Sequence, residues 1–149
     1  MGLDFTIYYI EKDRQNEEGY EAWDTNELCY GRKSWELVHA LNLPTDWDGE
    51  DPEVSKEDWV NLMKQIEPIS KYFDKIEDAY GDSDFEMTDE ERKRYIRKFE
   101  NWYDRTFNEG PTLGYEFALG YIREFYEANE KVMKYFDDDN YVVKASVSW

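Results

Sequence analysis

The chain has 149 residues, with 36 acidic and 18 basic side chains and a formal net charge of −18 at pH 7. This charge opposes binding to nucleic acid and to anionic membranes, and no stretch is long enough to predict a membrane span. Yet 18% of the residues are aromatic, which supplies the buried area that a disordered acidic chain lacks. We therefore expect one folded domain over residues 1–149, with a compact core inside a strongly negative surface.

The first element that the pattern predicts is a strand over residues 3–10. Alternation places Leu3, Phe5, Ile7 and Tyr9 on one of its faces. Residues 11–29 are polar and acidic, and we interpret them as a loop or a mobile hairpin, with a short second strand near residues 28–30 as an option.

A short helix is predicted over residues 33–41, with Ser34 as its N-cap and Pro44 soon after its end. Residues 45–54 then form an acidic loop. The next helix begins at Ser55, and we expect Pro68 to kink it or split it near Glu67.

Two further helices complete the predicted helical part. One opens at Thr88, where Glu91 completes a capping box, and stops at residues 109–111. Its basic run from Arg92 to Lys98 follows three acids, so i to i+4 pairing is expected there. The last helix is predicted over residues 112–136, with an apolar stripe that includes Phe117 and Tyr121.

A closing strand over residues 141–149 would put Val143, Ala145, Val147 and Trp149 on one face. A chain that begins and ends in strands pairs them, because an isolated strand leaves its backbone donors unsatisfied. The predicted fold class is therefore α+β: a small antiparallel sheet holding the N- and C-terminal strands, packed against three to four helices.

Three short segments resemble a family of small tailed-phage proteins: the start at Met1–Asp4, the run Tyr30-Gly31-Arg32-Lys33 followed by His39, and the end Ser146-Val147-Ser148-Trp149. The family usually has an aromatic residue where Gly31 stands, and its histidine spacing differs by one. The resemblance implies a phage origin and brings no established activity. The resemblance and the presence of a single cysteine, Cys29, together favour a location in the reducing cytoplasm of a bacterial host.

The negative charge is concentrated in the N-terminal part, where residues 1–60 carry 16 acids and 5 bases. Trp23 and Trp47 lie among carboxylates there, and an aromatic ring within acids suits an arginine-rich surface. Tyr8 and Tyr20 also fall outside the helical stripes. The predicted partner-binding residues are Glu17, Glu18, Glu21, Trp23, Asp24, Asp46, Trp47, Asp48, Glu50, Asp51 and Glu53.

These residues favour a non-enzymatic protein that blocks a basic nucleic-acid-binding site on a host or defence protein. It would act as a nucleic-acid mimic, comparable to an anti-CRISPR inhibitor, without binding nucleic acid or membrane itself. No catalytic residue, metal ligand or cofactor is assigned, and the oligomeric state is left open. Asp46, Asp48, Glu50 and Glu57 only partly fit a calcium loop, because the central glycine is misplaced.

A second candidate site consists of Arg32, Lys33 and His39, the only histidine. If they met at the start of one helix, they could hold an anionic group. Two alternatives therefore stay open: a small anionic-ligand-binding protein or enzyme that uses these three residues, and a structural or accessory phage protein.

Overall fold

The computed structural model describes residues 4–44, 50–81 and 86–148, with the side chain of Ser148 left out. Within them lies one antiparallel sheet of three strands: β1 (Asp4–Glu11), β2 (Glu27–Arg32) and β3 (Tyr141–Ser148). The strand order is β2-β1-β3, so the first strand is central and pairs with the last one along its whole length. The predicted α+β class and the pairing of the terminal strands are confirmed.

The described residues also form seven helices. They are α1 (Ala22–Thr25), α2 (Trp35–Ala40), α3 (Lys56–Ser70), α4 (Phe73–Gly81), α5 (Asp89–Thr106), α6 (Tyr115–Glu127) and α7 (Asn129–Phe136). Two of the predicted N-caps are confirmed: the hydroxyls of Ser55 and Thr88 accept hydrogen bonds from the backbone N–H groups of Asp58 and Glu91. Ser34 precedes α2 as predicted, but its hydroxyl donates to the Arg32 carbonyl instead of capping the helix.

The main core lies between the sheet and the longer helices. Phe5, Ile7, Val143 and Ala145 contribute the sheet side, as the alternation predicts. The helices contribute a ring cluster in which Phe125 lies 5.5 Å from Phe5 between ring centroids. Eight of the 28 described residues in this core are aromatic, and each buries a large apolar area, which helps to hold the fold together despite the repulsion of the surface charges.

Two helix boundaries differ from the prediction. Helix α3 runs through Pro68 to Ser70 and breaks at residues 71–72, a turn later than expected. Proline removes only one backbone donor, and the burial of Ile66 and Ile69 on either side of it keeps the last turn in place. Helix α5 ends at Thr106, because Phe107 adopts an extended backbone conformation and packs into the core.

The last helix is two helices, α6 and α7, which meet at Ala128. The buried positions of α6 are Ala118, Leu119, Ile122 and Phe125. Phe117 lies beside this stripe and is 40% exposed, so its assignment to the core was wrong. The predicted periodicity continued across Ala128 because both helices have apolar faces and Ala128 itself keeps right-handed helical dihedral angles.

Residues 11–29 are neither a plain loop nor a hairpin. They contain a 3-10 turn at Lys12–Arg14, the short helix α1, and the start of β2, which is longer than predicted. The segment from Lys12 to Asn26 covers part of the sheet face that the longer helices leave free, and this brings its acidic side chains to that face.

Candidate functional site

A second, smaller hydrophobic cluster lies on the sheet face opposite the main core. It consists of Tyr8, Ile10, Ala22 and Val142, with Tyr20 packed against it. Tyr8 and Tyr20, two of the aromatics outside the helical stripes, are therefore part of the packing on this face. The cluster fixes the position of both acidic segments, since each of them contacts it.

The first acidic segment, residues 12–26, is held to the sheet by side-chain hydrogen bonds. The Asn26 amide donates to the Tyr9 carbonyl at 3.0 Å and to the Tyr20 hydroxyl at 2.9 Å. Arg14 lies 3.6 Å from the centre of the Tyr20 ring and donates twice to the Glu17 carboxylate. Glu17 therefore has a cation of its own, which lowers the pKa of its carboxyl group.

The second acidic segment, residues 50–54, runs along the outer edge of β3. The Val54 amide donates to the Val143 carbonyl and the Ala145 amide donates to the Pro52 carbonyl, at 2.9 and 3.0 Å. The Tyr8 hydroxyl donates to Asp51 Oδ2 at 2.7 Å. Burial of the phenol and the adjacent Asp51 carboxylate both raise the pKa of Tyr8, so the hydroxyl stays a donor at neutral pH.

Together the two segments form what we call the acidic face: Glu17, Glu18, Glu21, Trp23, Asp24, Glu50, Asp51 and Glu53. No ion pair joins Glu18, Glu21, Asp24, Glu50 or Glu53 to another of the described residues. Trp23 is 45% exposed, whereas its neighbour Ala22 is buried in the cluster. Asp46, Trp47 and Asp48, also predicted to bind the partner, lie outside the described residues.

A further cation, besides Arg14, lies on the same sheet face. Lys144 of β3 pairs with Tyr8 in the strand register, and its backbone forms a bridge with Glu53. Directly paired residues have their side chains on the same face of a sheet, so Lys144 lies next to the Tyr8–Asp51 pair. The positive charge of Lys144 therefore borders the acidic face on the side of β3.

The residues of the second candidate site line two different cavities, which share Glu36. Arg32 and Lys33 line a narrow crevice against residues 111–114, and Arg32 Nε lies 3.9 Å from Asp4 Oδ1. His39 lines a separate pocket, where its Nδ1 is 2.5 Å from Glu109 Oε1. The Glu109 carboxylate occupies the Nδ1 side of the His39 ring, so a negatively charged ligand would meet a like charge there.

The His39 pocket contains a carboxyl group that the sequence pattern did not single out. Glu36 is 3% exposed, and burial, with a smaller effect of the nearby Glu109 charge, raises its pKa to about 7. The buried Tyr103 hydroxyl, which has no hydrogen-bond partner among the described residues, lies close enough to Glu36 to influence its titration. This pocket of about 430 Å³ can therefore change its charge near neutral pH.

Among the described residues, helix α5 carries a surface lined by five cations, with Glu90 and Glu91 of its first turn beside them. Arg94, Arg97, Lys98 and Arg105 recur at helical spacing there, and Tyr72 and Tyr95 lie beside them. The predicted pairing with the acids at residues 89–91 is not found for Arg94, Arg97 or Lys98, since none of them is in an ion pair with a described residue. Lys98 lies 4.3 Å from the Tyr72 ring centre and Arg94 5.4 Å from that of Tyr95, so aromatic rings take the place of carboxylates.

Among the residues that the structure describes, no group of three or more histidine, cysteine, aspartate and glutamate side chains is arranged to hold a metal ion. No helix within the described ranges is long and apolar enough to cross a membrane.

Comparison with known proteins finds no family profile, no curated protein and no solved structure that matches this chain. The resemblance to small tailed-phage proteins therefore stays a prediction. Met1–Leu3 and Trp149, which carry part of it, lie outside the described residues.

Proposed function

We propose that this protein is a non-enzymatic binding protein whose acidic face occupies the basic, nucleic-acid-binding site of a protein of a bacterial host or of its defence system. The observation that carries the proposal is the joining of two acidic segments on one sheet face, with five carboxylates that form no ion pair with a described residue. The protein would then act as a nucleic-acid mimic in the cytoplasm of the host.

The physical argument begins with the backbone that carries these carboxylates. Residues 50–54 are bonded to an edge strand and residues 12–26 are hydrogen bonded to the central strand, so the charges are spaced by the sheet. Carboxylates on a fixed support lose less conformational entropy on binding than carboxylates on a free tail. Like phosphates, they attract a positive groove over several ångströms and accept hydrogen bonds from arginine.

Trp23 adds an exposed aromatic ring, on which a partner side chain can stack, to the charges of this surface. Its ring is exposed while Glu21 and Asp24 lie within two residues of it in the chain. An arginine can stack on the indole and pair with a neighbouring carboxylate at the same time. The preference for a protein partner over a small ligand follows, because the acidic face is a broad surface, whereas Arg32 and Lys33 line one crevice and His39 lines another pocket.

The test is affinity capture of partners from a host lysate, eluted by rising salt and by DNA or RNA. A triple variant, Glu18→Gln, Glu21→Gln and Glu53→Gln, removes three charges of the acidic face. Its matched control, Glu67→Gln, Glu90→Gln and Glu130→Gln, removes three exposed charges of α3, α5 and α7. We expect a nucleic-acid-binding partner, at least about tenfold weaker binding for the first triple and a flatter salt dependence, with the control unchanged.

The proposal is overturned if the two triples bind the partner equally well, or if the partner has no basic nucleic-acid site. A partner that resists high salt and is not displaced by DNA or RNA also contradicts it, because displacement by nucleic acid is the defining property of a mimic.

A further inference from the structure

A groove on the helical side of the molecule has no role in the proposed function. It has a volume of about 680 Å³ and lies where the end of α4, the middle of α5 and the start of α6 meet. Leu113 and Phe117 line it, with exposed fractions of 42% and 40%, and the rings of Tyr80, Tyr115 and Tyr121 form the rest of its apolar wall. The acidic face lies on the opposite side of the sheet, so the two surfaces are separate.

The exposure of these side chains has no explanation within the chain. Leu113 and Phe117 are two of the three large apolar side chains that are exposed among the described residues, and both are in this groove. Phe117 contacts Tyr121, with 5.3 Å between ring centroids, but neither ring is buried. Neighbouring apolar side chains left open to water in a folded protein mark a surface that a partner covers.

Gly120 gives an independent reason to expect a partner here. It lies in the middle of α6, where glycine is the least favourable residue apart from proline. A Cβ at this position would meet no atom within 4 Å, so packing within the chain does not require a glycine. A missing side chain at the wall of an open groove leaves room for another molecule to approach the helix closely.

The charges at the rim define the chemistry of that molecule. Glu100, Glu116 and Glu124 line the groove, whereas Arg32 and Lys33 line the adjoining crevice on the other side of Leu113 and Phe117. On the side of the three carboxylates, the occupant must therefore combine apolar contact with positive charge. A second copy of this chain suits the groove less well than a basic segment, because it would bring another chain of net charge −18 against the three carboxylates.

We propose that the groove docks a short segment of a partner protein in which one or two apolar side chains are flanked by arginine or lysine. The apolar side chains lie against Leu113 and Phe117, close to the α6 backbone at Gly120. The flanking cations pair with the carboxylates of the rim. Burial of the apolar centre supplies the binding energy, and the rim selects for positive charge.

The experiment is a selection of binders from a random twelve-residue peptide library on the purified protein, followed by counter-selection on the Gly120→Leu variant. Leucine is a better helix former than glycine and has open space at this position, so the variant keeps its fold while it fills the groove. Circular dichroism and thermal melting confirm that fold. The expected peptides carry apolar residues between arginines or lysines and bind the variant at least tenfold more weakly.

Two single variants separate this proposal from the proposed function. Phe117→Ala should weaken the selected peptides and leave binding through the acidic face intact, whereas Trp23→Ala should do the reverse. Each replaces an exposed aromatic side chain, so neither is expected to unfold the protein.

The docking proposal is overturned if no peptide distinguishes the wild type from Gly120→Leu, if the selected peptides lack basic residues, or if Phe117→Ala binds them as well as the wild type. Dimerisation that Phe117→Ala abolishes would also contradict it, since the occupant would then be a second copy. None of these results affects the acidic face, which is tested by its own triple variant.

Discussion

Gly31 of β2 lies directly opposite Phe5 of β1, and a Cβ on Gly31 would lie 2.6 Å from Cε1 of the Phe5 ring. Phe5 is fully buried and its ring also contacts that of Phe125, so it has little room to move. The Phe5 ring thus fills the space that a side chain at position 31 would occupy.

Gly31→Ala should lower the free energy of unfolding by about 1–3 kcal/mol, because the added methyl group overpacks a buried ring. The measurement is urea unfolding followed by tryptophan fluorescence. Gly110→Ala is the matched control, since a Cβ there meets nothing within 4 Å. Equal effects of the two substitutions would show that the contact between Gly31 and Phe5 is not tight.

Glu36→Gln should stabilise the protein above pH 7 and change its stability little near pH 4.5. In the folded state burial raises the pKa of Glu36 from 4.5 to about 7, so the folded state keeps a proton that the unfolded chain releases. The free energy of unfolding of the wild type therefore falls as pH rises from 4.5 to 7, by at most about 3 kcal/mol from this group.

Urea unfolding of both proteins at pH 5 and pH 8 tests this, and the informative quantity is their difference at each pH. The whole chain is strongly acidic, so every variant loses stability with rising pH through general repulsion. The exposed carboxylate variant Glu53→Gln serves as the control for that effect. A difference between Glu36→Gln and the wild type that is the same at both pH values would contradict the assigned burial.

Tyr8→Phe should cost about 1 kcal/mol of stability, since it removes a hydrogen bond from a buried hydroxyl to the Asp51 carboxylate. A double-mutant cycle with Asp51→Asn measures the coupling between the two side chains directly. We expect a coupling energy of at least about 0.5 kcal/mol. Strict additivity of the two substitutions would mean that residues 50–54 are held by the backbone bonds to β3 alone.

Gly120→Ala should raise the free energy of unfolding by about 0.5–1 kcal/mol, because alanine is the better helix former and its methyl group points into open space. Thermal melting followed by circular dichroism is sufficient to measure it. Gly114→Ala should act in the opposite direction, since Gly114 has a φ of +95° that strains any residue with a Cβ. A destabilised Gly120→Ala variant would show that the glycine serves the fold itself.

The parts of the fold that could be predicted are those decided by neighbours in the sequence. The caps at Ser55 and Thr88 depend on residues three positions away. In the strands, the alternation of apolar and polar residues indicates which face is buried. The pairing of β1 with β3 followed from the need to satisfy backbone donors. None of these required knowledge of distant contacts.

What could not be predicted depends on contacts between residues far apart in the chain. His39 meets Glu109 across 70 positions, and Tyr8 meets Asp51 across 43, and neither pattern is visible locally. Phe117 was misplaced because the stripe of α6 is offset by one position from the stripe predicted across α6 and α7. The docking groove could not be predicted either, because it exists only where α4, α5 and α6 meet, and these helices are far apart in the chain.

The central position of β1 has a consequence for how the protein is made. One edge of β1 pairs with β2, which follows within about twenty residues. The other edge can pair with β3 only after residues 141–148 have been synthesised. During synthesis nearly the whole chain must emerge before this edge is covered, and the loop that closes is long and slow to close. We expect the helices to form first and the sheet to close last, with the edge of β1 exposed to other nascent chains until then.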